Sequence, residues 1–177
     1  GTYARDKDAV VAAMLITQMS MYYKNKNMNI KQAMDELYKK YGYFSEKTTS
    51  FSSSGAVPME QVSKIMTHLR EEDKTRVAGT KVLKFRDYKA STITELDTNK
   101  VSPTNLPVSD VLYYELADGC SVIVRPSGTE PKVKLYVLTK GDNKYECNER
   151  VKKYINYFDT FLCKNIKLKD ICFSIKN

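Results

Sequence analysis

Residues 111–137 read Val-Leu-Tyr-Tyr-Glu-Leu-Ala-Asp-Gly-Cys-Ser-Val-Ile-Val-Arg-Pro-Ser-Gly-Thr-Glu-Pro-Lys-Val-Lys-Leu-Tyr-Val. Two apolar runs, Val111 to Leu116 and Cys120 to Val124, flank an Asp118-Gly119 dipeptide. Such a dipeptide predicts a hairpin closed by a type I′ turn, because both residues tolerate positive φ. Past the loop from Arg125 to Lys132, Val133, Leu135 and Val137 alternate with Lys134 and Tyr136. A period of two turns the apolar side chains inward and sends Lys134 to the opposite face. These are consecutive strands of a sheet whose apolar side needs a covering layer.

Helical spacing on both flanks supplies that layer. Downstream, Cys147, Val151, Tyr154, Ile155, Phe158 and Leu162 share one side of a helix opposite Lys144, Arg150 and Lys152, with Asp142 as the expected cap. Upstream, Pro58 opens a helix with Val62, Ile65, Met66 and Leu69 on one face, closing in Arg70-Glu71-Glu72-Asp73-Lys74, which reads as a solvated end. Val82 to Tyr88 reads as a further strand, and the polar stretch from Lys89 to Pro107 as a long loop. The fold class is α+β, an open two-layer domain.

The N-terminal part is different in kind. Asp8 precedes Val10, Val11, Met14, Leu15 and Met19 at helical spacing, and Asn29 caps a second helix with Ile30, Ala33, Met34, Leu37 and Tyr38 as its buried stripe and Gly42 at its end. The Ser/Thr-rich residues 45–54 read as a linker and an entering strand. The resulting division is 1–45, 46–165 and a Lys-rich tail at 166–177.

Composition narrows the function classes. The 177 residues are 42% hydrophobic, enough for a modest core, and no run reaches the roughly 18 apolar residues of a membrane span. No basic-then-apolar leader is visible at the start, so the reading is cytoplasmic. Cys120, Cys147, Cys163 and Cys172 match neither zinc spacing nor a disulfide framework and read as buried thiols. The formal charge of +8 favours anionic ligands, but the lysines are dispersed and no RNA-recognition signature accompanies them, which argues against nucleic acid. His68, the single histidine, has no second histidine to act with and reads as a surface or boundary residue, not a base.

Arg125-Pro126-Ser127-Gly128-Thr129-Glu130-Pro131-Lys132 has the makeup of a phosphate clamp. Arginine grips two phosphate oxygens through its planar fork, hydroxyls and a glycine N–H engage others, and prolines restrict the loop beforehand. A plain connection would also favour Ser, Gly and Pro. The string, followed by Val133-Lys134-Leu135-Tyr136, closely resembles the phosphate-binding loop of the alpha-D-phosphohexomutases, the phosphoglucomutase and phosphomannomutase family. Gly1-Thr2-Tyr3-Ala4-Arg5-Asp6-Lys7-Asp8-Ala9-Val10 resembles the stretch after that family's sugar-recognition loop, and Tyr41-Gly42-Tyr43 and Arg86-Asp87-Tyr88-Lys89 with Ser91-Thr92 fall between in the family's order.

The resemblance implies a TATA-binding-protein-like C-terminal domain, an antiparallel sheet with helices on one face, preceded by a helical remnant of the third domain. It implies that Arg125, Ser127, Gly128, Thr129 and Lys134 bind the substrate phosphate and that Lys7 is a proton-transfer group. It further implies a hexose phosphate substrate, Mg2+ and a hexose 1,6-bisphosphate in the full-length enzyme, and N-terminal domains of the same protein as partners. The family's Ser-His-Asn and Asp-x-Asp-x-Asp motifs do not occur in these 177 residues. The chain therefore reads as a C-terminal piece, inactive alone. A phosphopentomutase or glucose-1,6-bisphosphate synthase would share the clamp, and a stand-alone polyanion-binding module is the alternative of a different class.

Overall fold

Val122, Val124, Val133, Leu135 and Val137 are all buried, and the alternation that placed them inward builds the centre of the molecule. The computed structural model describes residues 7–51, 59–128, 130 and 132–165. Two units partition the chain, 1–43 and 44–177.

The larger unit is a sheet covered by two helices. Its strands are β1 (Tyr43–Phe51, entering from the smaller unit), β2 (Arg76–Val77), β3 (Thr80–Asp87), β4 (Thr92–Glu95), β5 (Lys100–Pro103), β6 (Leu112–Leu116), β7 (Ser121–Pro126) and β8 (Val133–Gly141). They run β1-β8-β7-β6-β3-β4-β5 across the sheet, with β2 paired to β3. The ladders from β8 through β5 are antiparallel. The inward residues of β6, β7 and β8 meet Val62, Ile65, Met66 and Leu69 of one helix (Met59–Glu71) and Val151, Tyr154, Phe158 and Leu162 of another (Lys144–Asn165) in one apolar cluster. Each fully buried aliphatic or aromatic side chain contributes about 1.5–3 kcal/mol, so this helix-on-sheet contact carries the domain. The opposite face holds Ser121, Ile123, Arg125, Lys134 and Tyr136, none of them fully buried. This is the expected α+β architecture, with both helices on one face.

Several local expectations are corrected. Asp118-Gly119 does not form a type I′ turn, because only Gly119 has positive φ (77°). Gly119 N–H donates to Leu116 O at 3.1 Å and Leu116 N–H to Cys120 O at 2.9 Å. The loop is thus the three-residue kind, with glycine alone in the left-handed position. The two-residue turn with both φ values positive lies instead at Ala78 (50°) and Gly79 (77°), between the paired residues Val77 and Thr80. The stretch from Lys89 to Pro107 is no unstructured loop but contains the β4–β5 hairpin. Near the end of the sheet, where neither β4 nor the edge strand β5 has a fully buried residue, Thr92, Ile93 and Thr94 need only β-branched shape, not apolar alternation, and so escape a search for buried strands.

The last helix is capped by Asn143, whose Oδ1 accepts from Glu146 N–H at 2.9 Å, and not by Asp142. Glu146 folds back to accept from Asp142 N–H at 2.8 Å. Gly141 permits this, since a Cβ there would lie 2.9 Å from Glu146 Oε2. Arg70 is likewise no solvated helix end, because it pairs with Asp87 and Asp110. A bulge between Val82 and Lys84 returns Phe85 to the core side despite its odd spacing from Val82.

The smaller unit holds two helices, α1 (Ala9–Asn25) and α2 (Ile30–Tyr41). For consistency the helices of the larger unit are α3 (Met59–Glu71) and α4 (Lys144–Asn165). Asp8 caps α1 through Val11 N–H, and Asn29 with Gln32 forms a capping box on α2, which ends at Gly42 with φ 91°. The expected apolar stripes are present but not buried: Ile30, Met34 and Leu37 are exposed, as are Val10, Met14, Leu15 and Met19, and Ala33 alone is buried in these helices. Two helices in about forty residues cannot enclose a core of their own. Of residues 45–54, read as a linker and an entering strand, 45–51 belong to strand β1, while residues 52–54, Pro58 and the tail 166–177 lie outside the described residues.

Candidate functional site

Antiparallel register puts Arg125 of β7 directly opposite Lys134 of β8. Val124 and Leu135, the next pair inward, are buried on the helix side, so Arg125 and Lys134 project from the open face. Two cations opposed across strands repel and weaken a ladder unless an anion lies between them. Arg125 is exposed and Lys134 half-buried, and neither makes an ion pair among the described residues.

The loop between these strands braces itself. Ser127 N–H donates to Lys132 O at 2.8 Å, and Lys132 N–H to Glu130 O at 2.8 Å. Lys132 Nζ reaches Glu130 at 2.6 Å, and this hydrogen bond holds the Glu130 carboxyl below its usual range, with Lys134 adding to the field. Lys132 is thereby occupied within the loop, while Arg125 and Lys134 remain directed outward. Ser127 is buried, 4% exposed, with its backbone N–H held by Lys132 O. Gly128 is exposed, and a Cβ added to it would meet nothing within 4 Å. Thr129 lies outside the described residues. A negatively charged group approaching this end of the sheet would meet two cations and an open backbone, a suitable arrangement for a phosphate monoester.

The structure thus brings together Arg125, Ser127, Gly128 and Lys134. Lys7 is exposed and stands just before α1 in the smaller unit. Sequence reasoning missed Tyr136, whose ring centroid lies 6.0 Å from Arg125 Cζ. Its signal was the two-residue spacing from Lys134, which makes Tyr136 a diagonal neighbour of Arg125. Also missed was the Glu130–Lys132 brace, legible only as opposite charges two residues apart. His68, at the helix-layer boundary, stacks on Phe161 with centroids 5.6 Å apart, remote in chemistry from this site.

Fold and site together define a two-layer α+β domain with a cationic loop at one end of its open sheet face. Residues 66–150 match the phosphoglucomutase/phosphomannomutase C-terminal domain. A phosphoglucomutase of Staphylococcus epidermidis is 32% identical over 141 residues, 80% of this chain and 26% of that protein. One from Staphylococcus aureus is 33% identical over 141 residues, with 80% and 25% covered. The open form of the Paramecium phosphoprotein pp63/parafusin, a phosphoglucomutase, shares the fold with a TM-score of 0.57 at 17% identity, covering 95% of this chain and 28% of that one. The chain belongs to the phosphohexomutase family and corresponds to its C-terminal part. It spans about a quarter of the length of the curated relatives it matches. No helix among the described residues is long and apolar enough to cross a membrane.

Proposed function

We propose that this chain supplies the substrate phosphate-binding element of a phosphoglucomutase or phosphomannomutase. The whole protein would interconvert hexose 1-phosphate and hexose 6-phosphate through a phosphoserine and a hexose bisphosphate, working in the cytosol. The observation that carries this reading is the in-register opposition of Arg125 and Lys134 on the open sheet face, without a carboxylate pairing either among the described residues. Such chemistry needs a site that holds whichever phosphate is not reacting while the sugar binds in either of two orientations. Arg125 would make the forked contact and Lys134 would add a point charge. Gly128 would present backbone, with the hydroxyls of Ser127 and Thr129 completing the grip. None of these contacts distinguishes the two ends of the sugar, as a mutase requires.

Lys7 is proposed as the proton-transfer group on the family resemblance alone. Mg2+ is part of the same resemblance, but no group of three His, Cys, Asp or Glu side chains among the described residues could hold a metal. The chain by itself would bind phosphosugar without turning it over.

Titrating glucose 6-phosphate into the chain and its Arg125→Ala variant tests the reading. A charge-assisted hydrogen bond contributes about 1.5–3 kcal/mol, so affinity should fall at least about tenfold. Equal affinity of the two proteins would refute the clamp. Repeated across a salt series, glucose 6-phosphate binding should depend only weakly on salt; tight binding of single-stranded RNA that falls steeply with salt, without binding of the monoester, would favour a polyanion-binding module instead.

A further inference from the structure

Two arginine–tyrosine pairs decorate the open face of the sheet, and they differ in a way that matters. Arg86 Cζ lies 4.7 Å from the Tyr113 ring centroid, and the same guanidinium donates to Glu115 at 2.8 Å. That arginine is closed off by its own carboxylate. Arg125 Cζ lies 6.0 Å from the Tyr136 centroid and has no carboxylate partner among the described residues. Among the described residues its guanidinium leans toward the ring.

Tyr136 is well placed to act as a fixed surface. It is paired across strands with Ile123 and is half-buried, lining with Thr48, Ile123 and Leu138 a hollow of about 290 Å³ beside the open face. Arg125, by contrast, is exposed on a flexible stem, and Lys134 directly opposite repels it. An arginine in that position loses much rotamer freedom when it grips an anion, and a neighbouring aromatic face reduces that loss by holding the guanidinium beforehand.

We propose that Tyr136 is a positioning residue for Arg125, holding the guanidinium at the mouth of the anion site; this rests on the phosphate-clamp reading above. Tyr136 touches no phosphate itself. It acts through the neighbouring arginine, so its effect should vanish when that arginine is removed.

The test is a titration of inorganic phosphate into the full chain, followed by backbone amide NMR, for wild type, Tyr136→Leu, Tyr136→Val, Tyr136→Phe, Arg125→Ala and the Arg125→Ala/Tyr136→Leu double variant. Tyr136→Leu and Tyr136→Val should weaken binding about threefold to tenfold, with Tyr136→Phe restoring it. On the Arg125→Ala background, Tyr136→Leu should have no further effect. An equal drop on both backgrounds would mean that the ring merely supports the sheet, and would overturn the proposal. Wild-type affinity in Tyr136→Leu beside a loss in Arg125→Ala would also overturn it while leaving the clamp intact. If Arg125→Ala binds phosphate like wild type, the clamp reading fails and the proposal with it.

Discussion

Arg70, in the last turn of α3, and Asp87, at the end of β3, form a 2.9 Å ion pair with side chains only 17% and 11% exposed. The same guanidinium reaches Asp110 in the connection before β6, so one arginine fastens the helix layer both to the end of β3 and to that connection. Burial opposes its charge, but the hydrogen bonds to Asp110 and Asp87 outweigh that and raise its pKa. Asp87 also accepts from Lys89 N–H at 2.9 Å, shaping the turn into β4.

Asp87→Ala should therefore destabilise the larger unit by about 1.5–3 kcal/mol, since it removes one of the two carboxylates on a largely buried guanidinium and frees a turn. Urea unfolding measures this as a lowered midpoint. Lys64→Ala, breaking the exposed pair with Glu60, should leave the midpoint in place.

Gly119 and Gly128 should respond oppositely to alanine. Gly119 has φ +77°, where an L side chain is strained whatever space surrounds it, so Gly119→Ala should cost about 1–2 kcal/mol. Thermal unfolding would register the loss, with ligand affinity in the folded protein unchanged.

Gly128→Ala meets no atom within 4 Å and should leave stability within about 0.5 kcal/mol of wild type. Its methyl would nonetheless occupy the space through which a phosphate approaches the backbone. Weaker binding of glucose 6-phosphate at unchanged melting temperature is the expected result. Unchanged affinity would remove Gly128 from the site.

Asp159 on α4 has a buried Oδ1 without a hydrogen-bond partner among the described residues, and burial raises its pKa. A raised carboxyl pKa means that the folded state holds the proton more tightly than the unfolded one. Stability from this group is complete below the unfolded value of about 3.9 and is lost as pH rises through the folded value. Asp159→Asn should accordingly stabilise the protein at pH 7, with the advantage shrinking toward pH 3. Parallel melting curves at the two pH values check it; an equal advantage at both would point to packing rather than ionisation.

Much of the fold was legible because local patterns were strong. Val133, Leu135 and Val137 alternate cleanly, Val62 to Leu69 share a helical face, and Asn29 and Gly42 mark the ends of α2. The β4–β5 hairpin was hidden because β4, half-buried between β3 and β5, and the edge strand β5 carry no apolar alternation. Asp118-Gly119 misled as to turn type, since the third loop residue, Ala117, is silent in sequence and the choice depends on strand register. Asn143 displaced Asp142 as cap because Glu146 could fold back over Gly141.

The sequence by itself determined the strand and helix periodicities, the Arg125-to-Lys132 loop and the family it belongs to, because these depend on neighbours within a few residues. The tertiary structure alone decided that Arg125 opposes Lys134 and leans toward Tyr136, that Lys132 is spent on Glu130, and that Arg70 is a fastening and not a surface charge. Those are relations between strands and layers, set by register and packing. No local spacing encodes how far one strand slides along the next.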